Sequence, residues 1–275
     1  MINMKFYFFQ RKLRTFIYEK IDKIYISLIN YLLPKYVINY CFNSEDALRE
    51  FANKKNFNFD LREKKHILNE YKRHTNIRSD FLSGRRVIES RHRYFSSLVT
   101  FYNDNISILD FGGGFQSIHF PIIASNPTKM INTSVYEPFP EVVEFNRKIH
   151  LDQDDIKFSD VIPKNKFDFI YFGSSIQYEF SIDIILLAAK RAKYVVISYS
   201  PMVLDGESFF VISVPHNNSF VPIKIWNLYE LIKIFEQNGF VLLNQVLTIE
   251  DNWNFGIKKY QNLVPDLLLR NSNFV

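Results

Sequence analysis

Three consecutive glycines, Gly112, Gly113 and Gly114, stand in a chain of 275 residues that holds only eight. Glycine loses more backbone freedom on folding than any other residue, so a sparing chain that places three together needs bare backbone there. The residues before them, 106–111, read as a β-strand, and those after, 115–125, as a helix. A strand that runs through glycines into a helix is a ligand turn of an open α/β sheet. The chain must therefore build such a sheet around this point.

Downstream the pattern continues. Further strands are expected at 133–137, 156–159, 167–172 and 194–200, with helices at 141–150, 182–190 and 226–238 between and after them. Gly239 closes the last helix. Two final strands, 241–249 and 257–263, lack a helix between them and predict an antiparallel hairpin at the sheet's end. Upstream, residues 1–104 read as helical, with Ser44 as N-cap of a helix through Lys54 and further helices at 61–72 and 85–102. The expected organisation is a helical region, 1–104, leading into a ligand-binding domain, 105–275.

Charge divides the same way. Residues 1–100 hold 20 Lys/Arg against 10 Asp/Glu, giving +10, and residues 101–275 hold 14 against 19, giving −5. The basic, aromatic N-terminal stretch (Phe6, Tyr7, Phe8, Phe9 and Phe16 among Lys5, Arg11, Lys12 and Arg14) suits a peripheral membrane helix within 1–35 or a helix capping a core. A membrane span is not expected, because the longest apolar stretch there covers about ten residues and a span needs ~20. With no secretory cleavage pattern, a cytoplasmic protein is expected. One cysteine, Cys41, excludes an intrachain disulfide framework and a Cys-only zinc site, and the six histidines form no HxH or HxxxH pair, so no metal is expected.

The candidate site lies beyond the carboxyl ends of the strands. Asp110 closes the first, beside Gly112, Gly113 and Gly114. A dinucleotide fingerprint, GxGxxG, breaks at Ser117. An acid beside GxG suits S-adenosylmethionine instead, whose ammonium and sulfonium are cationic where a dinucleotide carries pyrophosphate. Glu137, at the end of the second strand, is placed for the ribose hydroxyls, and Asp160, after the third, for the adenine amino group. Gly173 and Ser174 leave the fourth strand over the same crevice. Any one of these has a bland reading as a turn or a solvated strand end; their order along the chain carries the ligand reading.

These residues resemble the class I S-adenosylmethionine-dependent methyltransferases. More narrowly, they are similar to a bacterial family of methyltransferases encoded among surface-polysaccharide genes. The shared features are Leu109 to Gly113, Ser175-Ile176-Gln177-Tyr178, Ser198-Tyr199-Ser200-Pro201, the Trp226-led helix and the lead-in from Phe42 to Ala47. Gln116 departs from the third glycine common in such turns. The resemblance implies a Rossmann-like sheet of seven strands, the last antiparallel, with a helical N-terminal extension. It also implies S-adenosyl-L-methionine as cofactor.

A hydroxyl acceptor needs a general base. His216, in a loop inserted before the Trp226 helix, and Glu179 are the candidates. His119 reads better as a helix-face histidine packed by Phe115 and Phe120. Gln177 and Tyr178 suit substrate contact or closure of the cofactor pocket. The expected acceptor is a small molecule or glycan. Nucleic acid is not expected, since no Asn/Asp-Pro-Pro-Tyr/Phe segment follows the fourth strand. Two further readings stay open: a catalytically idle scaffold of this fold, and an NAD-dependent sugar enzyme using Tyr229 and Lys233.

Overall fold

The structure, a computed structural model, describes residues 40–54, 76–86, 88–213, 221–249 and 263–274. The N-terminal stretch 1–35, the expected helix at 61–72, the strand residues 257–262 and His216 lie outside the described residues. Among the described residues no helix is long and apolar enough to cross a membrane.

The main sheet begins with Asn105–Phe111 (β2), after a short strand Tyr40–Phe42 (β1) described below. It continues with Met130–Tyr136 (β3), Ile156–Ser159 (β4), Phe167–Gly173 (β5) and Ala192–Ser198 (β6). These five run parallel, in the order β4-β3-β2-β5-β6. Leu263–Asn271 (β11) then inserts antiparallel beside β6, and Phe240–Ile249 (β10) pairs antiparallel with β11 at the edge. This seven-strand order with its reversed last strand is the Rossmann-like class I methyltransferase sheet.

Parallel strands buried on both faces alternate which core they feed. Ile106, Ile108, Phe169, Tyr171 and Val196 meet one layer with Phe95, Val99 and Ile122. Leu109, Phe111, Ile170, Phe172 and Ile197 meet the other with Ile185, Leu231 and Phe235. The first layer uses helices Ser90–Thr100 (α3) and His119–Ser125 (α4), and the second Ile182–Ala189 (α6) and Leu228–Gln237 (α7). Phe81 of helix Ile77–Leu82 (α2) and Val143 of helix Pro140–Ile149 (α5) pack with Phe120 and Val135.

A smaller strand layer was not foreseen. Strands Met202–Val203 (β7), Phe209–Ser213 (β8) and Val221–Asn227 (β9) fill the stretch read as a loop insertion. With β1 they form the run β1-β8-β9-β7, which joins the main sheet where Met202 pairs with Leu263. Helix Glu45–Lys54 (α1) follows β1, and Ser44 Oγ accepts from Ala47 N at 3.2 Å as its expected cap.

Several boundaries differ from expectation. Trp226 lies on β9 and does not lead a helix; Ile223 and Ile225 face one core while Trp226 faces the other, the period of a strand. The helix starts at Leu228, capped by Asn227, whose Oδ1 accepts from Glu230 N at 2.9 Å. Residues 115–118 form a turn, and α4 starts only at His119. The final strand runs over Leu263–Asn271, past the expected end at residue 263. Pro265 obscured it, since proline demotes a strand reading, yet it lies outside Leu267 to Arg270, the stretch that pairs with β6.

Candidate active site

The strand order reverses between β2 and β5, and there a cavity of about 430 Å³ opens at the carboxyl ends of β2, β3 and β5. Open α/β sheets bind ligands at such a reversal, and the volume falls in the ~300–1,000 Å³ range of small-molecule pockets. The lining includes Asp110, Gly112, Gly113, Gly114, Glu137, Gly173, Ser174, Tyr178 and Glu179. Nine expected site residues thus meet in one crevice.

The glycines are there for two reasons. Gly112 and Gly114 hold φ of +71° and +56°, where a side chain strains the backbone. A Cβ on Gly112 would also stand 2.8 Å from Ser175 Cβ, and one on Gly113 would collide with the Asp110 carboxylate. The turn is wrapped around that acid. Asp110 Oδ2 accepts from Ser117 Oγ at 2.7 Å and from Ile118 N at 2.9 Å. The Ile118 N–H ahead of α4 is therefore used by Asp110.

Burial pushes the Asp110 carboxyl up to about 6, against the pull of these two hydrogen bonds. Glu137 raises it further and Arg91 lowers it. Glu137 is also buried, its N–H donating to Ser159 O at 2.9 Å to hold the end of β3. Two buried acids beside bare backbone make a crevice suited to a ligand with hydroxyls and positive charge.

Sequence reasoning missed Arg91, His92, Phe139 and Tyr136 in the lining. Arg91 and His92 come from α3, ahead of the sheet. Tyr171 Oη donates to the Arg91 carbonyl at 3.1 Å, so His92, 2.9 Å away through Nδ1, must be the donor to that same hydroxyl oxygen. Burial holds His92 down at about 3, hence neutral. Arg91 and His92 both lie within the helix expected at 85–102, and only packing on Tyr171 brings them to the cavity.

Other expected residues fall elsewhere. Asp160 is exposed just past β4 and takes no part in the lining. Gln177 is fully buried under the rim, where its Nε2 donates to Ser174 O at 2.9 Å and Ser174 Oγ at 3.1 Å. It braces Ser174, a non-glycine residue held at φ 57°. Tyr178 and Glu179 stand at the mouth. Glu179 Oε1 accepts from Ser181 N at 2.9 Å, and burial raises its carboxyl above the usual range. His119 is buried against Phe120 and bonds Thr133 at 3.0 Å, the packing role expected of it. Tyr229 and Lys233 are exposed on α7, away from the cavity. Among the described residues no cluster of His, Cys, Asp and Glu is placed to hold a metal ion.

No family model matches the chain. No curated protein matches it either. Solved structures do. The 1,6-didemethyltoxoflavin-N1-methyltransferase of Burkholderia thailandensis, crystallised with S-adenosylhomocysteine, is 14% identical over 74% of this chain and 91% of its own, with a TM-score of 0.47. A SAM-dependent methyltransferase of Thiobacillus denitrificans, also with S-adenosylhomocysteine, is 12% identical over 71% and 97%, at 0.44. The [4+2]-cyclase SpnF is 13% identical over 68% and 84%, at 0.48.

Proposed function

We propose that this protein is an S-adenosylmethionine-dependent methyltransferase acting at oxygen on a small-molecule or surface-glycan acceptor. The observation that carries the cofactor is the pair of buried acids, Asp110 and Glu137, flanking a glycine turn at the sheet's reversal point. The cavity fits that group: bare backbone at Gly112 to Gly114, an acid beside it for cationic charge, and a second acid on the adjacent strand end for ribose hydroxyls. When bound, S-adenosylmethionine supplies a methyl on a cationic sulfur, open to in-line displacement.

The chain's own work is alignment, exclusion of water and proton removal. Tyr136 and Phe139 give the crevice an apolar wall, and Tyr178 closes its mouth. Glu179, half-buried with a raised affinity for protons, is the group placed to take a hydroxyl proton from an acceptor entering there. His216 remains a second proposed base.

Isothermal titration with S-adenosylhomocysteine tests the reading. Wild type should bind, and Asp110→Ala and Glu137→Ala should each weaken binding by about tenfold or more. No binding by wild type, or binding by both variants undiminished from wild type, overturns it. Mass spectrometry of surface glycans with and without the gene tests the acceptor through a shift of one methyl group.

A further inference from the structure

We propose that Arg91 is the group that binds the carboxylate of the cofactor's amino-acid end, and that Gln116 is the residue that positions it. The assignment rests on the methyltransferase reading above and extends it to residues no glycine motif contains.

Arg91 is the one cation among the residues that line the cavity; the other basic side chain there, His92, is neutral. Its side chain is 27% exposed, and its Nε is buried. A cation withdrawn into a crevice with two buried acids is held by explicit partners. Arg91 Nη2 donates to Gln116 Oε1 at 3.1 Å, and Nε stands 2.7 Å from Glu89 Oε2. The backbone beneath is fixed by the Tyr171 hydroxyl on the Arg91 carbonyl. The fork is thus anchored along one side and keeps donors for an anion, and a planar guanidinium matches a carboxylate.

The ligand's chemistry supplies that anion. An amino-acid end is a zwitterion, and Asp110 beside the glycine turn answers only its ammonium. Arg91, close enough to Asp110 to lower that carboxyl's pKa, places the opposite charge next to it. Glu137, on the adjacent strand end, takes the ribose, which leaves the Asp110 and Arg91 side for the amino acid. Gln116 then has a reason to replace glycine: its carbonyl oxygen steers the guanidinium across the turn. Glycine there would leave Nη2 without this partner.

The experiment compares two ligands by titration calorimetry: S-adenosylhomocysteine, which carries the amino acid, and 5′-methylthioadenosine, which lacks it. Arg91→Ala should weaken S-adenosylhomocysteine by about 10- to 100-fold, the worth of a hydrogen-bonded charge, and leave 5′-methylthioadenosine within about twofold. Arg91→Lys should restore part of the loss. Gln116→Ala should lose about three- to tenfold on S-adenosylhomocysteine alone. Retained 5′-methylthioadenosine binding certifies that each variant is folded. Equal losses on both ligands, or no loss on S-adenosylhomocysteine, overturn the assignment while wild-type binding still upholds the cofactor. Wild type that binds neither ligand overturns the methyltransferase reading itself.

Discussion

Asp110 serves two masters. Its Oδ2 staples the glycine turn, yet its charge is almost wholly buried. An asparagine would keep an acceptor for Ser117 and Ile118 and drop the charge. The ligand-free Asp110→Asn protein should therefore be more stable than wild type at pH 8. The carboxyl is raised from 3.8 to about 6. That difference of roughly two units corresponds to about 3 kcal/mol at about 1.4 kcal/mol per unit. A group with a raised folded-state pKa takes up its proton first in the folded state. The wild-type penalty is then full above pH 6 and gone below about pH 4. The advantage of asparagine should shrink as pH falls through that window. Urea unfolding at pH 8, 6 and 5 checks it; an advantage that stays constant with pH refutes the assignment of the penalty to Asp110. Binding of S-adenosylhomocysteine should move the opposite way, weakening in the variant.

For strands and helices, most of the main sheet was legible. Ile106 to Phe111 and Phe167 to Phe172 announced themselves by β-rich runs ending in glycine, and Asp110, Glu137 and Gly173 fell at strand ends as a consequence. What escaped has physical causes. Trp226 and its neighbours alternate between two cores, and the apolar texture on both faces of β9 mimics the start of the amphipathic helix that follows. Arg91 and His92 are contributed by α3 through tertiary packing on Tyr171, for which no local pattern exists. Gln177 was chosen for its polarity, but a polar side chain beside a strained turn is as often spent on the backbone, here on Ser174. The junction of β9 and α7 makes its own prediction. Asn227 caps α7 and also donates to Leu204 O at 3.0 Å and Gly206 O at 2.9 Å. Asn227→Ala should cost about 2–3 kcal/mol in chemical denaturation, more than the ~1 kcal/mol of a plain cap, because two carbonyls lose their donor as well. A loss no greater than the plain cap would show that the two carbonyls find other donors.

Taken whole, the molecule is one large sheet with a smaller strand layer attached at the pairing of Met202 with Leu263 and by Trp226, whose Nε1 lies 3.5 Å from Ile176 O. Such an attachment lets the small layer open without the large one. Cys41 pairs with Val211 in the β1–β8 ladder. A proline at residue 41 (Cys41→Pro) disturbs this short ladder and should speed hydrogen exchange across Phe209–Ser213, while S-adenosylhomocysteine affinity stays within about twofold. A loss of affinity in parallel would mean the layers open together.

The reversed strand has a consequence in time. β11 sits between β6 and β10 and is made after both. Until residues 263–271 have been synthesised, β6 and β10 each present an unpaired edge, and Val195, Ile197 and their neighbours lack their partners in β11. A growing chain can assemble β2, β3, β4 and β5 around the crevice early, yet it carries two open edges through the rest of its synthesis. The protein's exposure to misassembly is thus greatest on the ribosome, and it ends when one strand slides home between two that have been waiting for it.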